Sequence, residues 1–470
     1  MKKKILNICI FTTLITLVLP IAGINIVKNE VSGTSTMVKK DPSSVVSTTV
    51  DWWPMFHHDP QHSGLSSSTA PNTKHILWTF KAKNECSFYG SAAVVNDRVY
   101  TATIGVNNGF PGLTKITKNN FSGKVYCLDA NTGEVIWQYT SRYGTWATPA
   151  VANGKVYVCS GLWWWSFDNI TLDHVGDVFC LDATNGNLLW EYRDCQYVIG
   201  GPVITDGKLY FGSFNDSNGW VWCFNASNGQ KLWNYECNDP IGPVTVVNGK
   251  VYVSIRRSYD KFLCLNATTG EMIWTWNEGY IEEIYAGSSV AEGRVYVATM
   301  GYGYIDPNGT YWVPGDLHCL DAETGTLLWE ANLGTGFTWG SPAVAYGNVY
   351  IGTGDGLCNT GKGGFYCVNA STGNLVWKHD GLFPEQGKYL AYSGSLSPAI
   401  ADGKVYFGCE SVLFNNCFFC LDAFTGKTLW TYRNFAINKQ CSNVAIANGK
   451  VYVGFASCLF GLTGSLICFN

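Results

Sequence analysis

The sequence predicts an all-β chain folded as an eight-bladed β-propeller of four-stranded antiparallel blades. Three observations predict it. An eleven-residue segment recurs along the whole chain. Each recurrence sits in a unit with four strand-like pieces and two tight turns. The strand that the last unit lacks is found near the amino terminus.

The recurring segment is CLDANTGEVIW at 127–137. It returns as CLDATNGNLLW (180–190), CFNASNGQKLW (223–233), CLNATTGEMIW (264–274), CLDAETGTLLW (319–329), CVNASTGNLVW (367–377) and CLDAFTGKTLW (420–430). An eighth start, CFN, stands at 468–470. In the second unit the strand-like pieces are TPAVA (148–152), KVYVCS (155–160), DVFCLDA (177–183) and LLWEY (188–192), labelled A to D. They are rich in Val, Tyr, Phe and Trp, which suit a pleated, half-buried surface. No long window shows helical periodicity.

The turns repeat as faithfully. Strands A and B are joined by Asn153-Gly154, Asp206-Gly207, Asn248-Gly249, Asp402-Gly403 or Asn448-Gly449. These pairs tolerate the positive φ angles of a two-residue hairpin turn. Strands C and D are joined by D-A-x-T-G, where Asp or Asn can bond the turn backbone and Gly takes a left-handed position.

Four antiparallel strands per unit at this period describe a propeller blade, which must be covered by its neighbours. The Trp ten residues after each repeat Cys is expected to fill the wedge between blades: Trp137, Trp190, Trp233, Trp274, Trp329, Trp377 and Trp430. The last unit has A, B and C but no D. ILWTF (76–80) supplies a D-like strand with Trp78 at the equivalent place, so the amino-terminal strand is expected to close the ring and remove its open edge.

These residues carry a resemblance. C-L-D-A-x-T-G-x-x-x-W resembles the tryptophan-docking repeat of pyrroloquinoline-quinone (PQQ) type propellers, with Cys where Ala is more usual. DWWPMFHHDPQHSG (51–64) resembles the segment before the first strand in that superfamily. The resemblance covers about residues 51–470. It implies the fold and leaves function open, because the superfamily holds both quinoprotein dehydrogenases and non-enzymatic scaffolds of the BamB type.

Composition bounds the rest. Net charge is −4, which gives no reason to expect nucleic acid as a partner. MKKK precedes a charge-free apolar stretch at 5–27, read as a signal peptide or an uncleaved membrane anchor. Residues 28–50 read as a Ser/Thr-rich linker and 51–470 as the propeller. An extracytoplasmic location follows, secreted or held at the cell surface. Membrane contact is expected only through the amino-terminal stretch.

Eighteen cysteines would ordinarily suggest disulfides in such a compartment. The eight repeat cysteines, from Cys127 to Cys468, occupy equivalent places in separate blades and are expected to be small buried residues. Cys409 with Cys417, and Cys195 with Cys237, are candidate pairs.

The A–B and C–D turns should share one face and the B–C loops and D–A crossings the other. The first set is short and uniform. The second is long and irregular, as in residues 103–123, 161–176 and 299–315, and so marks the expected binding face. Candidate ligand-binding aromatics there are Trp146, Trp163, Trp164, Trp165, Tyr197, Tyr285, Trp339 and Tyr392. Three adjacent indoles at 163–165 cannot all point inward.

Other motifs are weaker. GLCNTGKG (356–363) lacks the Ser or Thr of a phosphate loop. His57, His58 and His62 could hold a metal or could pack the amino-terminal arm. No catalytic or metal site is assigned. The expected function is a non-catalytic binding scaffold for an extracytoplasmic protein or glycan, without a cofactor. The alternative is a PQQ- and calcium-dependent dehydrogenase. Members of that kind often carry adjacent cysteines or a C-x-x-C-H haem site, and this sequence has neither.

Overall fold

Eight four-stranded antiparallel sheets follow one another along the chain of the computed structural model. The structure describes residues 50–82, 88, 90–105, 122–162, 175–193, 195–215, 217–255, 261–277, 286–299, 303–306, 309–312, 315–334, 338, 340–353, 364–380, 394–410, 416–434, 439–457 and 464–470. Blade I is built from Ala93–Val95, Arg98–Ala102, Lys124–Asp129 and Val135–Thr140 as strands A to D. Blades II to VI span 150–193, 197–237, 241–277, 289–332 and 343–380, and blade VII spans 399–434. Blade VIII takes A, B and C from 439–469 and D from Ile76–Lys81, which pairs with Ser465–Phe469. The amino-terminal strand therefore closes the ring, as expected.

The A–B turns are left-handed at both central residues. Asn153 and Gly154 have φ of 50° and 71°, and Asn248 and Gly249 have 51° and 73°. Every C–D hairpin contains a β-bulge just before the Trp; in blade I, Cys127 faces Trp137 while Leu128 faces Val135. The extra residue swings the Trp inward and leaves the two preceding side chains outside.

The Trp joins each blade to the next. Trp137 Nε1 donates to the carbonyl of Ala183 at 3.1 Å, Trp274 to Ala322 at 3.3 Å and Trp377 to Ala423 at 3.0 Å. Trp78, Trp190, Trp233 and Trp329 make the same bond to Ala130, Ala226, Ala267 and Ala370. The indole lies on the turn glycine of the neighbouring blade. A Cβ on Gly325 would stand 2.5 Å from the Trp274 ring, so this glycine answers both a close approach and a positive φ. The Tyr of strand B often shares the same acceptor: Tyr252 donates to Ala322 at 3.0 Å and Tyr350 to Ala423 at 3.1 Å.

Trp430 differs. Its buried Nε1 has no acceptor among the described residues. The blade it faces is closed by two separate segments, so no continuous C–D turn offers a carbonyl. Tyr406 there donates to Pro71 instead, at 2.7 Å.

The amino-terminal arm runs around the inside of the ring. Trp53 exchanges two backbone bonds with Val94 of blade I. The carbonyls of Pro54, Pro60, Gln61, Ser63 and Gly64 accept from Val151, Val246, Val290, Val344 and Ile400, at equivalent positions in blades II, IV, V, VI and VII. Leu65–Ser66 then adds in parallel to Ala399–Ala401. These N–H groups belong to the innermost strands, whose edges would otherwise lack partners.

Two buried histidines pack this hub. His62 Nδ1 donates to Thr245 Oγ1 at 3.1 Å, because that hydroxyl already donates to the Ser288 carbonyl. Burial and the nearby His57 pull the pKa of His62 down to about 3. His57 faces two carbonyls, of His62 at 2.7 Å and Pro398 at 2.8 Å. Burial outweighs both and takes its pKa to about 4, so the neutral ring donates to one and turns a lone pair to the other. His58 stands nearer the surface, 3.1 Å from Asp51 and 3.3 Å from Asp59. Burial opposes its charge, but the two carboxylates prevail and raise its pKa to about 9.

This packing is testable by substitution. Trp274→Ala should cost about 3–5 kcal/mol in chemical denaturation. Trp430→Phe should cost less than Trp274→Phe by about 1 kcal/mol, since only the latter loses a bond. A third test concerns pH. The His58 pKa is above its unfolded value, so its stabilisation is full below about 6.5 and is lost as pH rises through 9. His58→Asn, which tolerates the left-handed φ of 82°, should lower Tm at neutral pH, with the difference shrinking above pH 9.

Candidate functional site

The two faces of the ring differ in kind. The hairpin turns A–B and C–D stand on one, and their polar residues repeat from blade to blade. Asp129 Oδ1 accepts from the backbone of Asn131 and Thr132, and Asp321, Asn369 and Asp422 do the same in their own turns. The B–C loops and D–A crossings stand on the other face. Blade V adds a hairpin there, Gly303–Asp306 with Gly309–Trp312, in which Tyr304 pairs with Tyr311.

The crossing from blade I to blade II carries Trp146, which is half-buried. Beside it Tyr143 is buried, with the Arg142 guanidinium 4.9 Å from its ring centroid. Arg142 also lies 3.8 Å from the buried carboxylate of Asp177. Tyr197 begins the inner strand of blade III and is buried edge-on to Phe214, 5.2 Å between centroids. It lies against Gly161 of blade II. Trp146 and Tyr197 thus occupy successive crossings. Trp163, Trp164, Trp165, Tyr285, Trp339 and Tyr392 lie outside the described residues, as do Asp194, Glu282, Glu283 and the 356–363 motif.

The channel wall toward the loop face is a belt of small residues on the inner strands. Ser91 N–H donates to Thr148 Oγ1 at 2.9 Å, Ser341 N–H to Ser397 Oγ at 2.9 Å and Ser397 N–H to Asn443 Oδ1 at 2.9 Å. Each of these bonds joins neighbouring blades. The equivalent residues elsewhere are Gly201, Pro243 and Gly287, so the belt carries no charge. PQQ with calcium would need cations for its carboxylates and carboxylate ligands for the metal. This belt does not fit that group. Among the described residues no three His, Cys, Asp or Glu side chains converge.

The cysteines fall into two kinds. The repeat cysteines are buried, and burial pushes Cys127 and Cys223 up to about 11 and Cys264 and Cys367 to about 12. Such thiols are unreactive. Outside the repeat, Cys409 and Cys417 are direct cross-strand partners in blade VII. Cys195 is buried, and the Cys237 thiol lies 3.2 Å from the Asp239 carbonyl and 3.5 Å from that of Gly219.

Sequence reading missed the strand-B Tyr, the serine belt and the hub carbonyls. The first was legible as a Val-Tyr or Leu-Tyr pair in every B strand. The belt and the hub needed the ring closed before their partners could be seen.

An eight-bladed ring in which seven Trp side chains each bond the turn carbonyl of the next blade defines a PQQ-like propeller. The family described as outer membrane protein assembly factor BamB matches residues 63–169, 166–253, 217–308 and 263–453, and the chain belongs to it. A tetrathionate hydrolase of Acidithiobacillus ferrooxidans is 24% identical over 363 residues, covering 72% of this chain and 57% of its own length. The chain thus spans under two thirds of that relative. The structure of BamB from Moraxella catarrhalis superposes with a TM-score of 0.56 at 14% identity, over 84% of this chain and 99% of that one. A quinohemoprotein alcohol dehydrogenase from Comamonas testosteroni gives 0.62 at 12% identity, over 89% and 80%. These structural likenesses concern the fold.

The thiol environments give a further prediction. Alkylation of the native protein without reductant should leave the repeat cysteines unmodified until the chain is unfolded. Intact mass should show Cys409 and Cys417 lighter by two hydrogens if bridged. Rapid native labelling of the repeat cysteines would contradict their burial.

Proposed function

We propose that this chain is an extracytoplasmic, non-catalytic scaffold that binds a protein partner through its loop face, with a glycan as the less favoured ligand. One observation carries this reading: connections vary on one face of the ring and repeat on the other. A rigid frame that varies on one side concentrates its specificity there. Membership of the BamB-described family supports a protein-binding role, and BamB, hydrolase and dehydrogenase relatives together support an extracytoplasmic location.

A second reading is a quinone-dependent dehydrogenase, favoured by alcohol dehydrogenase (quinone) relatives such as that of Gluconobacter oxydans, 30% identical over 29% of this chain. The uncharged belt weighs against it.

Replacing Trp163, Trp164 and Trp165 by Ser should leave Tm nearly unchanged and reduce what cross-linking on intact cells captures. A large fall in Tm would make those rings part of the core. Calorimetry with PQQ and calcium should give no saturable heat; one-to-one binding would favour the dehydrogenase.

A further inference from the structure

The turn face departs from its polar pattern at one place. Seven A–B turns begin with Asn, Asp or Glu, and blade VI begins with Tyr346. Tyr346 has a φ of 54°, a left-handed backbone that disfavours a bulky residue. In the neighbouring blade VII the C–D turn carries Phe424 where other blades have Asn, Thr, Ser or Glu. The two rings meet, with centroids 5.1 Å apart, and stay 43% and 56% exposed. The Tyr346 hydroxyl accepts from the Gly403 N–H at 3.0 Å, which holds the pair in place.

The pair belongs to a wider asymmetry. Among the described residues, the other large exposed apolar side chains apart from Val50 all lie in the first two positions of an outer D strand. Leu375 and Val376 of blade VI are 58% and 47% exposed, and Leu188 and Leu189 of blade II are 43% and 46%. They are the residues that the repeated bulge leaves outside. The turn face is thus polar on its turns, apolar around its rim and aromatic at blades VI and VII.

The chain also enters the ring on this face. Asp51 bonds Ser66 and Ser67, and Ser68 accepts from Gly449 of the blade VIII A–B turn. Val50 beside it is exposed. Upstream lie 28–49 and then the charge-free stretch 5–27. At about 3.4 Å per residue, some 22 residues reach at most ~75 Å. An anchor in 5–27 would therefore hold the ring within that distance of the bilayer by a segment that leaves from this face.

We propose that the turn face docks on a phospholipid surface, with Tyr346 and Phe424 seated at the headgroup level and the rim leucines beside them. Aromatic rings with one polar end favour that depth. The loop face then points away from the membrane, free for its partner. This rests on the extracytoplasmic reading with 5–27 retained as an anchor.

The test uses the full chain in phosphatidylcholine vesicles, compared with the same chain in detergent micelles, by flotation and hydroxyl-radical footprinting. The protein should float with the vesicles. Oxidation of Tyr346, Phe424, Leu375 and Val376 should fall severalfold, while Trp220 and Trp276, at the loop-side ends of their strands, keep their labelling. Tyr346→Asn with Phe424→Ser restores the turn pattern of the other blades and relieves the left-handed Tyr. It should keep or raise Tm and lose the protection at Leu375 and Val376. Flotation without protection would overturn the docking surface and leave the anchor. Failure to float would overturn the anchored reading as well. Equal protection in micelles that grows with protein concentration would assign the patch to a second copy instead.

Discussion

The inner strand of every blade has one edge that no strand of its own sheet can reach. In an open ring those N–H groups would need water or a ligand. Here a short arm, Trp53 to Gly64, turns its carbonyls outward like the hub of a wheel and meets six blades in sequence order. The arm needs left-handed backbone at His57, His58 and His62 to follow that circle. It needs buried imidazoles to fill the space that remains. The same stretch then continues into Leu65–Ser66 on blade VII and Ile76–Lys81 in blade VIII. One segment therefore satisfies the axis and closes the rim.

Away from the axis the load passes to a single carbonyl per blade. The turn Ala oxygen accepts from the Trp of the preceding blade and, at five of the turns, from its Tyr as well. Both lone pairs are then used, which leaves little freedom for a blade to tilt. The seam between blades VII and VIII is the exception. There Pro71 replaces the turn oxygen for Tyr406, and Trp430 goes without. The seam is held instead by the amino-terminal segment, through Lys404 to Ala70 and Lys74 to Thr431.

This division of labour explains why one frame serves relatives with different names. The ring is stabilised mainly by the axis, the turns and the Trp and Tyr contacts between blades, none of which depends on the long loops. Loops there can vary without disturbing a blade, so a hydrolase, a dehydrogenase and an assembly factor can share the fold. This chain's own features are an uncharged serine belt at the inner wall, a buried Tyr197, an added hairpin on blade V and an aromatic break in the turn face.

Repeat number, strand content, turn type and the origin of the closing strand were all set by local chemistry and could be read from the sequence. Asn-Gly pairs specify left-handed hairpins, and a Trp at constant spacing meets the same kind of turn in seven of its eight occurrences. Other features depended on closure. Nothing in DWWPMFHHDPQHSG announces that its carbonyls face six inner strands, because each of those partners comes from a different blade. The burial of Tyr197 and the orphaned indole of Trp430 likewise arise from which blades become neighbours. Local sequence determines a contact when both partners lie within a few residues; the tertiary structure decides it when they are brought together only by bending the chain into a ring.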